Sequence, residues 1–185
     1  MSAFIFDNYG YDQVTKTARF SYRFDNGQTF TEQVVFVEAQ DAYDQAILDR
    51  VLFLAFVLIG TSYYKTAPSR EVRFARGIID EWQAGFLNHV YQEGLSQFAF
   101  ENNLTRDDLA HFRATGISEG AVPYQGRGIL SLQSGGKDSL LVAQKLRRAN
   151  QEFTSFYISS SSAYPAVIDR LSSQTYVATR ILDRE

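Results

Sequence analysis

The chain has 185 residues, of which 45% are hydrophobic, 15% aromatic and 21% charged. That is enough apolar material for a packed core of one or two small domains, and it excludes a disordered tail or a long multidomain assembly. Eighteen basic against 21 acidic side chains give a formal charge of -3, so the net positive charge that nucleic-acid backbones draw on is missing and no nucleic-acid partner is expected.

There is no cysteine, hence no disulfide framework, thiol nucleophile or Cys-based zinc site, and a reducing cytoplasm fits. The N-terminal dozen residues, MSAFIFDNYGYD, carry acid rather than base and no apolar signal core, so secretion is not expected. From residue 4 to 37 the pattern has period two, with Phe20, Tyr22 and Phe24 on one face and Arg19, Ser21 and Arg23 on the other. Asp25, Asn26 and Gly27 tolerate positive φ and predict a hairpin turn between strands 17–24 and 28–37, with 4–11 as a third strand. Asp41 or Asp44 is placed to cap a helix reaching about Ile59, apolar all round in its last turns, with Gly60 as its stop. The apolar run 51–59 is far shorter than the roughly 20 residues of a membrane span, so it reads as a buried core helix and no membrane insertion is expected.

A second helical stretch, roughly 79–103, sets Trp82, Phe86, Val90 and Tyr91 on one stripe that Leu95, Phe98 and Ala99 continue. His89 shares that stripe and His111 lies 22 residues on, a separation without metal-ligand spacing, so both read as structural. Residues 114–127, with Gly116, Gly120, Pro123 and Gly126, have the composition of a linker. Beyond it, a short buried strand at 128–133, a helix at 138–149 and a strand at 153–158 make a βαβ unit and so a parallel sheet. Arg147 and Arg148 close that helix, where cations complement its dipole. The expected organisation is therefore an α+β domain over 1–113, with an antiparallel hairpin sheet and helices, a linker over 114–127, and the start of an α/β nucleotide-binding domain over 128–185.

Between the strand and helix of the βαβ unit lie Ser134, Gly135, Gly136, Lys137, Asp138 and Ser139. Two glycines permit a sharp turn and close approach of a ligand, and the following helix offers unpaired N–H groups at the positive end of its dipole. Such a place suits an anion. Ser134 and Ser139 add hydroxyl donors, Lys137 a point charge for phosphate oxygens, and Asp138 a carboxylate suited to the Mg²⁺ that accompanies nucleoside triphosphates. A Walker A loop is excluded, because Ser131 stands where its first glycine belongs and Asp138 where its hydroxyl belongs; the GxGxxG fingerprint is absent as well.

The segment SGGKDS resembles the PP-loop of the ATP pyrophosphatase superfamily, SGGxDS, whose members cleave ATP between the α and β phosphates. Three further segments narrow the resemblance: residues 58–65, LIGTSYYK; residues 91–99, YQEGLSQFA, followed by Asn102 or Asn103; and residues 180–183, RILD. In that order, with the loop before the last, they resemble the UDP-N-acetyl-α-D-muramoyl-L-alanyl-L-glutamate epimerase family over nearly the whole chain. The resemblance implies an ATP- and Mg²⁺-dependent cytoplasmic isomerase that inverts the terminal glutamate of a UDP-linked muramoyl dipeptide in peptidoglycan precursor synthesis. It implies adenylation of the glutamate α-carboxylate, release of pyrophosphate, proton exchange at Cα and release of AMP. Lys137 and Asp138 are then catalytic, Asp138 as the Mg²⁺ ligand, the whole of 134–139 binds ATP, and Tyr63, Tyr64, Lys65, Glu93 and Asn102 are candidates for substrate contact. Each of those five also has a plain structural reading, as aromatic core, helix-end cation or solvated helix face. Only 46 residues follow Ser139, whereas a nucleotide domain of about five strands needs well over twice that, so the chain is expected to be an N-terminal fragment. Two alternatives stay open: a tRNA-modifying or amidotransferase-type PP-loop enzyme, and a non-catalytic nucleotide-binding protein if 185 residues is the native length.

Overall fold

The computed structural model describes residues 2–39, 43–117, 120, 123, 126–161, 163 and 165–183. A half-buried sheet face needs an apolar side chain at every second position, and the N-terminal alternation delivers it. β1 (Phe4–Asp12), β2 (Thr17–Phe24) and β3 (Thr29–Val35) form there. In β2, Ala18, Phe20, Tyr22 and Phe24 are buried while Arg19 is exposed. Gly27 sits at φ +94° in the β2–β3 turn, Asn26 Oδ1 accepts from the Gln28 amide at 3.0 Å, and the Phe24 amide donates to the Gln28 carbonyl at 2.8 Å.

Asp44 starts α1 (Gln45–Ile59) by accepting from the amides of Ala46 and Ile47 at 2.9 and 3.0 Å, a cap worth about 1 kcal/mol. Asp41, the other candidate cap, lies outside the described residues. The helix is not packed on all sides as its composition predicts: Leu52, Phe56 and Val57 are buried, whereas Val51 and Leu54 face outward. Gly60 ends α1 as expected, though not as a left-handed cap. It keeps right-handed geometry at φ -54°, and the chain turns on into α2 (Thr61–Tyr64). A Cβ on Gly60 would lie 2.7 Å from Phe6 Cε1 and 2.9 Å from Tyr22 Cε1, so this glycine permits close approach of helix to sheet rather than terminating by positive φ. By length and composition alone Gln45–Tyr64 could cross a membrane, its most apolar 18 residues having a mean hydropathy of 1.7. Here it serves as a core element: the Tyr22 hydroxyl donates to the Phe56 carbonyl at 2.8 Å and the Tyr91 hydroxyl to the Val57 carbonyl at 2.7 Å.

The second helical stretch is broken into α3 (Glu81–Asn88), a π-helical turn (His89–Glu93) and α4 (Ser96–Glu101). Asp80 and Gln83 close a reciprocal capping box at the start of α3, at 2.7 and 3.0 Å. The expected apolar stripe is buried in its later part and exposed at its start. Trp82 is 76% exposed and stacks on Phe86, 5.9 Å apart, while Ala84, Leu87, Tyr91 and Ala99 are buried. Of the expected stripe, Tyr91 and Ala99 do turn inward and Val90, Leu95 and Phe98 are half-buried; Tyr91 packs against Tyr64 and Phe112, with ring centroids 5.2 and 4.9 Å away. His89, on the outward side, is exposed. β4 (Val72–Phe74), too short for alternation to show, pairs in parallel with β1 from Phe4↔Val72 to Phe6↔Phe74.

β5 (Leu130–Leu132), α5 (Lys137–Arg148) and β6 (Thr154–Ser159) form the expected βαβ unit, with β5 and β6 parallel, but β5 is not the buried strand expected, since Leu130 and Leu132 are exposed and only Ser131 is buried. β7 (Thr175–Ile181) is a strand that the sequence pattern did not predict. It runs parallel to β6 over Ser155↔Thr175 to Ser159↔Thr179 and antiparallel to β3 over Gln33↔Ile181 to Val35↔Thr179. The strand order is β4-β1-β2-β3-β7-β6-β5. One mixed seven-stranded sheet thus replaces the expected hairpin sheet and separate parallel sheet, because β7 pairs on both of its sides. The described residues between 114 and 127 carry no helix or strand.

Two compact units divide the chain: residues 1–10, 20–31 and 44–122 in the first, and 11–19, 32–43 and 123–185 in the second. The first has an aromatic core in which Phe6 meets Phe4, Tyr22, Phe56, Phe74, Tyr91 and Phe112 at centroid distances of 4.9–6.4 Å. Such ring pairs contribute about 0.5–1.5 kcal/mol each beyond area burial. The second packs Ala143, Phe153 and Leu171 with Ile129, Leu140 and Leu146. It also holds Glu32, fully buried, which accepts from Arg180 Nε and, at 3.0 Å, from Arg180 Nη2.

Candidate functional site

The strand–loop–helix of the second unit positions the SGGKDS segment. β5 ends at Leu132, the loop turns through Gly135 at φ +77°, and α5 begins at Lys137. A side chain at Gly135 would be strained by that backbone and would meet Pro165 at 3.1 and 3.2 Å. The Ser134 hydroxyl accepts from the Gly136 amide at 3.3 Å, and the Ser139 hydroxyl donates to the Gly136 carbonyl at 2.9 Å. The two hydroxyls lie 3.4 Å apart, so both edges of the loop converge on its glycines. Gly136, the N-cap, has no side chain with which to satisfy the first N–H groups of α5. These amides, the helix dipole and Lys137 together present positive charge at one point. Lys137 and Asp138 are exposed and, among the described residues, neither forms an ion pair.

Gln133, directly before the loop, was not singled out by the sequence. It is 1% exposed, its amide donates to the Phe156 carbonyl at 2.8 Å and its Nε2 to Ser131 Oγ at 2.8 Å, yet its Oε1 has no hydrogen-bond partner. A buried amide oxygen left so costs roughly 1–3 kcal/mol. The one signal for it in sequence is its place directly before the glycine-rich loop. At the far end of α5, Arg147 donates to the Arg170 carbonyl, so this cation ties down the segment after the helix as well as complementing the dipole.

The remaining candidates lie in the first unit. Tyr63 is buried between Tyr22 and Phe30, each 5.1 Å away. Tyr64 is fully buried; its hydroxyl accepts from the Ala110 amide at 2.7 Å and donates to the Ser69 carbonyl at 3.1 Å. Burial pushes the Tyr64 hydroxyl up to about 12, partly opposed by those two backbone bonds. Burial likewise holds Tyr91 well above its ordinary value, with Tyr64 as a second cause. Lys65 is exposed, its Nζ 5.9 Å from the centre of the Phe98 ring. Asn102, the C-cap of α4, donates from Nδ2 to the Phe98 carbonyl at 2.8 Å, so Lys65 and Asn102 gather about Phe98. Glu93 is exposed and pairs with Arg106 at 3.3 Å. Among the described residues no group of three or more His, Asp or Glu could hold a metal ion by itself. Asp138 alone suits a cation that brings phosphate oxygens as its other ligands.

Three curated proteins resemble the chain, each named UDP-N-acetyl-alpha-D-muramoyl-L-alanyl-L-glutamate epimerase. That of Micromonospora sp. is 31% identical over 99% of this chain, that of Xanthomonas oryzae pv. oryzae 30% over 92%, and that of Salinispora tropica 34% over 90%. The chain spans 43%, 39% and 38% of their respective lengths, about two fifths. No solved structure matches it. The MurL N-terminal domain family matches residues 1–185 in full, and the chain belongs to that family.

Proposed function

We propose that the protein epimerises the terminal L-glutamate of UDP-N-acetylmuramoyl-L-alanyl-L-glutamate to D-glutamate in peptidoglycan precursor synthesis, consuming ATP to form an acyl-adenylate and pyrophosphate, the acyl-adenylate then being hydrolysed by water to the free carboxylate and AMP. Family membership and the three named relatives support the substrate and the reaction class. The observation that carries the ATP part is the SGGKDS loop, exposed between a parallel strand and an uncapped helix start. A proton on the carbon beside a carboxylate is barely acidic, and adenylation solves this by neutralising the carboxylate. The loop's share is electrostatic: fixed donors aimed at charge that develops as pyrophosphate leaves. Lys137 and the amides after Gly135 would hold phosphate oxygens, Ser134 and Ser139 would add hydroxyl donors, and Asp138 would hold Mg²⁺ jointly with the phosphates. Gln133 Oε1 is a buried acceptor beside this cradle. Of the first-unit candidates, Lys65, Glu93 and Asn102 are exposed enough for polar contact with substrate, whereas Tyr63 and Tyr64 would act by supporting the core behind them. ATP and a UDP-linked precursor place the reaction in the cytoplasm.

Product analysis tests the reading. Incubation of the intact protein with ATP, Mg²⁺ and the UDP-linked dipeptide is expected to yield AMP and pyrophosphate together with D-glutamate in the dipeptide. Stoichiometric ADP and phosphate without AMP would overturn it.

A further inference from the structure

The first unit carries a cleft of about 650 Å³ that the reaction described above leaves unused. Its floor is apolar, made by Val72 and Phe74 of β4 and by Phe112, whose ring centroid lies 6.1 Å from that of Phe74. Its rim is cationic, with Arg70, Arg73 and Arg113 against the Glu71 carboxylate among the described residues. Backbone bonds fix the two segments that supply it: the His111 amide donates to the Arg70 carbonyl at 3.0 Å, and the Thr115 amide to the Ile79 carbonyl at 2.9 Å.

Two of the guanidinium groups are held by carboxylates. Arg73 commits Nε and Nη2 to Glu71 Oε1 at 2.8 and 2.5 Å, which leaves Nη1 for another acceptor. Arg70 commits only Nη1, to the Asp107 carbonyl and carboxylate at 3.1 and 2.6 Å. Arg113 is exposed and, among the described residues, its side chain makes no hydrogen bond or ion pair. Guanidinium forks match phosphate oxygens in pairs, and an aromatic floor suits a flat or apolar group beside them. The size falls within the roughly 300–1,000 Å³ of small-molecule sites.

We propose that this cleft binds a nucleoside diphosphate, taking the phosphates on Arg70, Arg73 and Arg113 and the nucleoside against Phe74 and Phe112. The proposal rests on the function proposed above, in which the substrate carries UDP as its handle. The cleft would then recognise that handle, a task separate from holding ATP at the SGGKDS loop.

Calorimetric titration of the intact protein with UDP, pyrophosphate and uridine as separate probes tests it. UDP is expected to bind more tightly than either fragment, Arg113→Ala and Arg73→Ala each to weaken it at least about tenfold, and Lys137→Ala to leave it unchanged. UDP affinity unaltered in both arginine variants would overturn the site, and pyrophosphate binding as tightly as UDP in the Lys137→Ala protein, where the SGGKDS cradle is impaired, would overturn its nucleoside half. Because the readout needs no turnover, the two proposals fail separately. AMP formation with an unchanged KM for the UDP-linked dipeptide in Arg113→Ala rejects the cleft alone. Arg113-dependent UDP binding in a protein that forms no AMP keeps the cleft and rejects the reaction.

Discussion

Residues 63–65 and residues 134–139 both stand out in the sequence, and the fold treats them in opposite ways. Tyr63 and Tyr64 are sealed in an aromatic core, and both hydrogen-bond roles of the Tyr64 hydroxyl are spent on backbone groups of its own unit. Lys137 and Asp138 stand exposed at a helix start whose amides no side chain caps, with Gln133 Oε1 buried and unsatisfied just behind them. One motif is consumed by the fold, and the other is left with donors to spare. A distinctive segment therefore reads as a ligand site only when its polar groups are not already taken up internally.

Substitutions can break this contrast. The largest loss of stability is expected at Arg180, in the RILD segment, because Arg180→Ala leaves the Glu32 carboxylate buried without its bidentate partner. Chemical denaturation should show a loss of about 3–5 kcal/mol, and a loss below about 1 kcal/mol would show the pair to be incidental. Next comes Tyr64→Phe, which strips the hydroxyl from the Ser69 carbonyl and the Ala110 amide at a cost of about 1–3 kcal/mol. Its pH dependence sharpens the assignment. In the unfolded chain tyrosine ionises near 10, whereas burial pushes Tyr64 up to about 12 in the fold. Stability owed to the neutral hydroxyl is therefore complete below about pH 10 and lost between there and about pH 12. Denaturation midpoints across that window should fall less steeply in Tyr64→Phe than in the wild type; equal slopes would contradict the burial of this hydroxyl.

Much of this was legible beforehand. Alternation marks β1 to β3, Asp25–Gly27 the turn, and the loop's flanks the strand and helix on either side of SGGKDS, because in each case local pattern and tertiary demand agree. The failures have physical causes. Trp82 and Phe86 are large and share helical spacing with Tyr91, but spacing alone does not show that only the later part of that stripe, Tyr91 and Ala99, turns inward. Three-residue β4 shows no period, and β7 was missed although Arg180 within it was noticed, since its side chains show no clean alternation of burial and its partner β3 lies far away in sequence. Gly60 and Gln133 owe their meaning to neighbours in space, Phe6 and Tyr22 for one and Ser131 and Phe156 for the other.

The smallest expected change in stability belongs to the residue with the largest expected effect on function. In the intact protein Lys137→Ala should slow conversion of ATP to AMP with the UDP-linked dipeptide by roughly 10²–10³-fold, since it removes a charge aimed at the departing pyrophosphate. Its free energy of unfolding should stay within about 0.5 kcal/mol of wild type, because an exposed side chain without a partner carries little of the fold. Measuring turnover and unfolding on that one variant is the most direct test: a rate collapse with an intact fold is expected, and wild-type turnover, or a rate lost only because the fold is lost, would contradict the loop as the phosphate cradle.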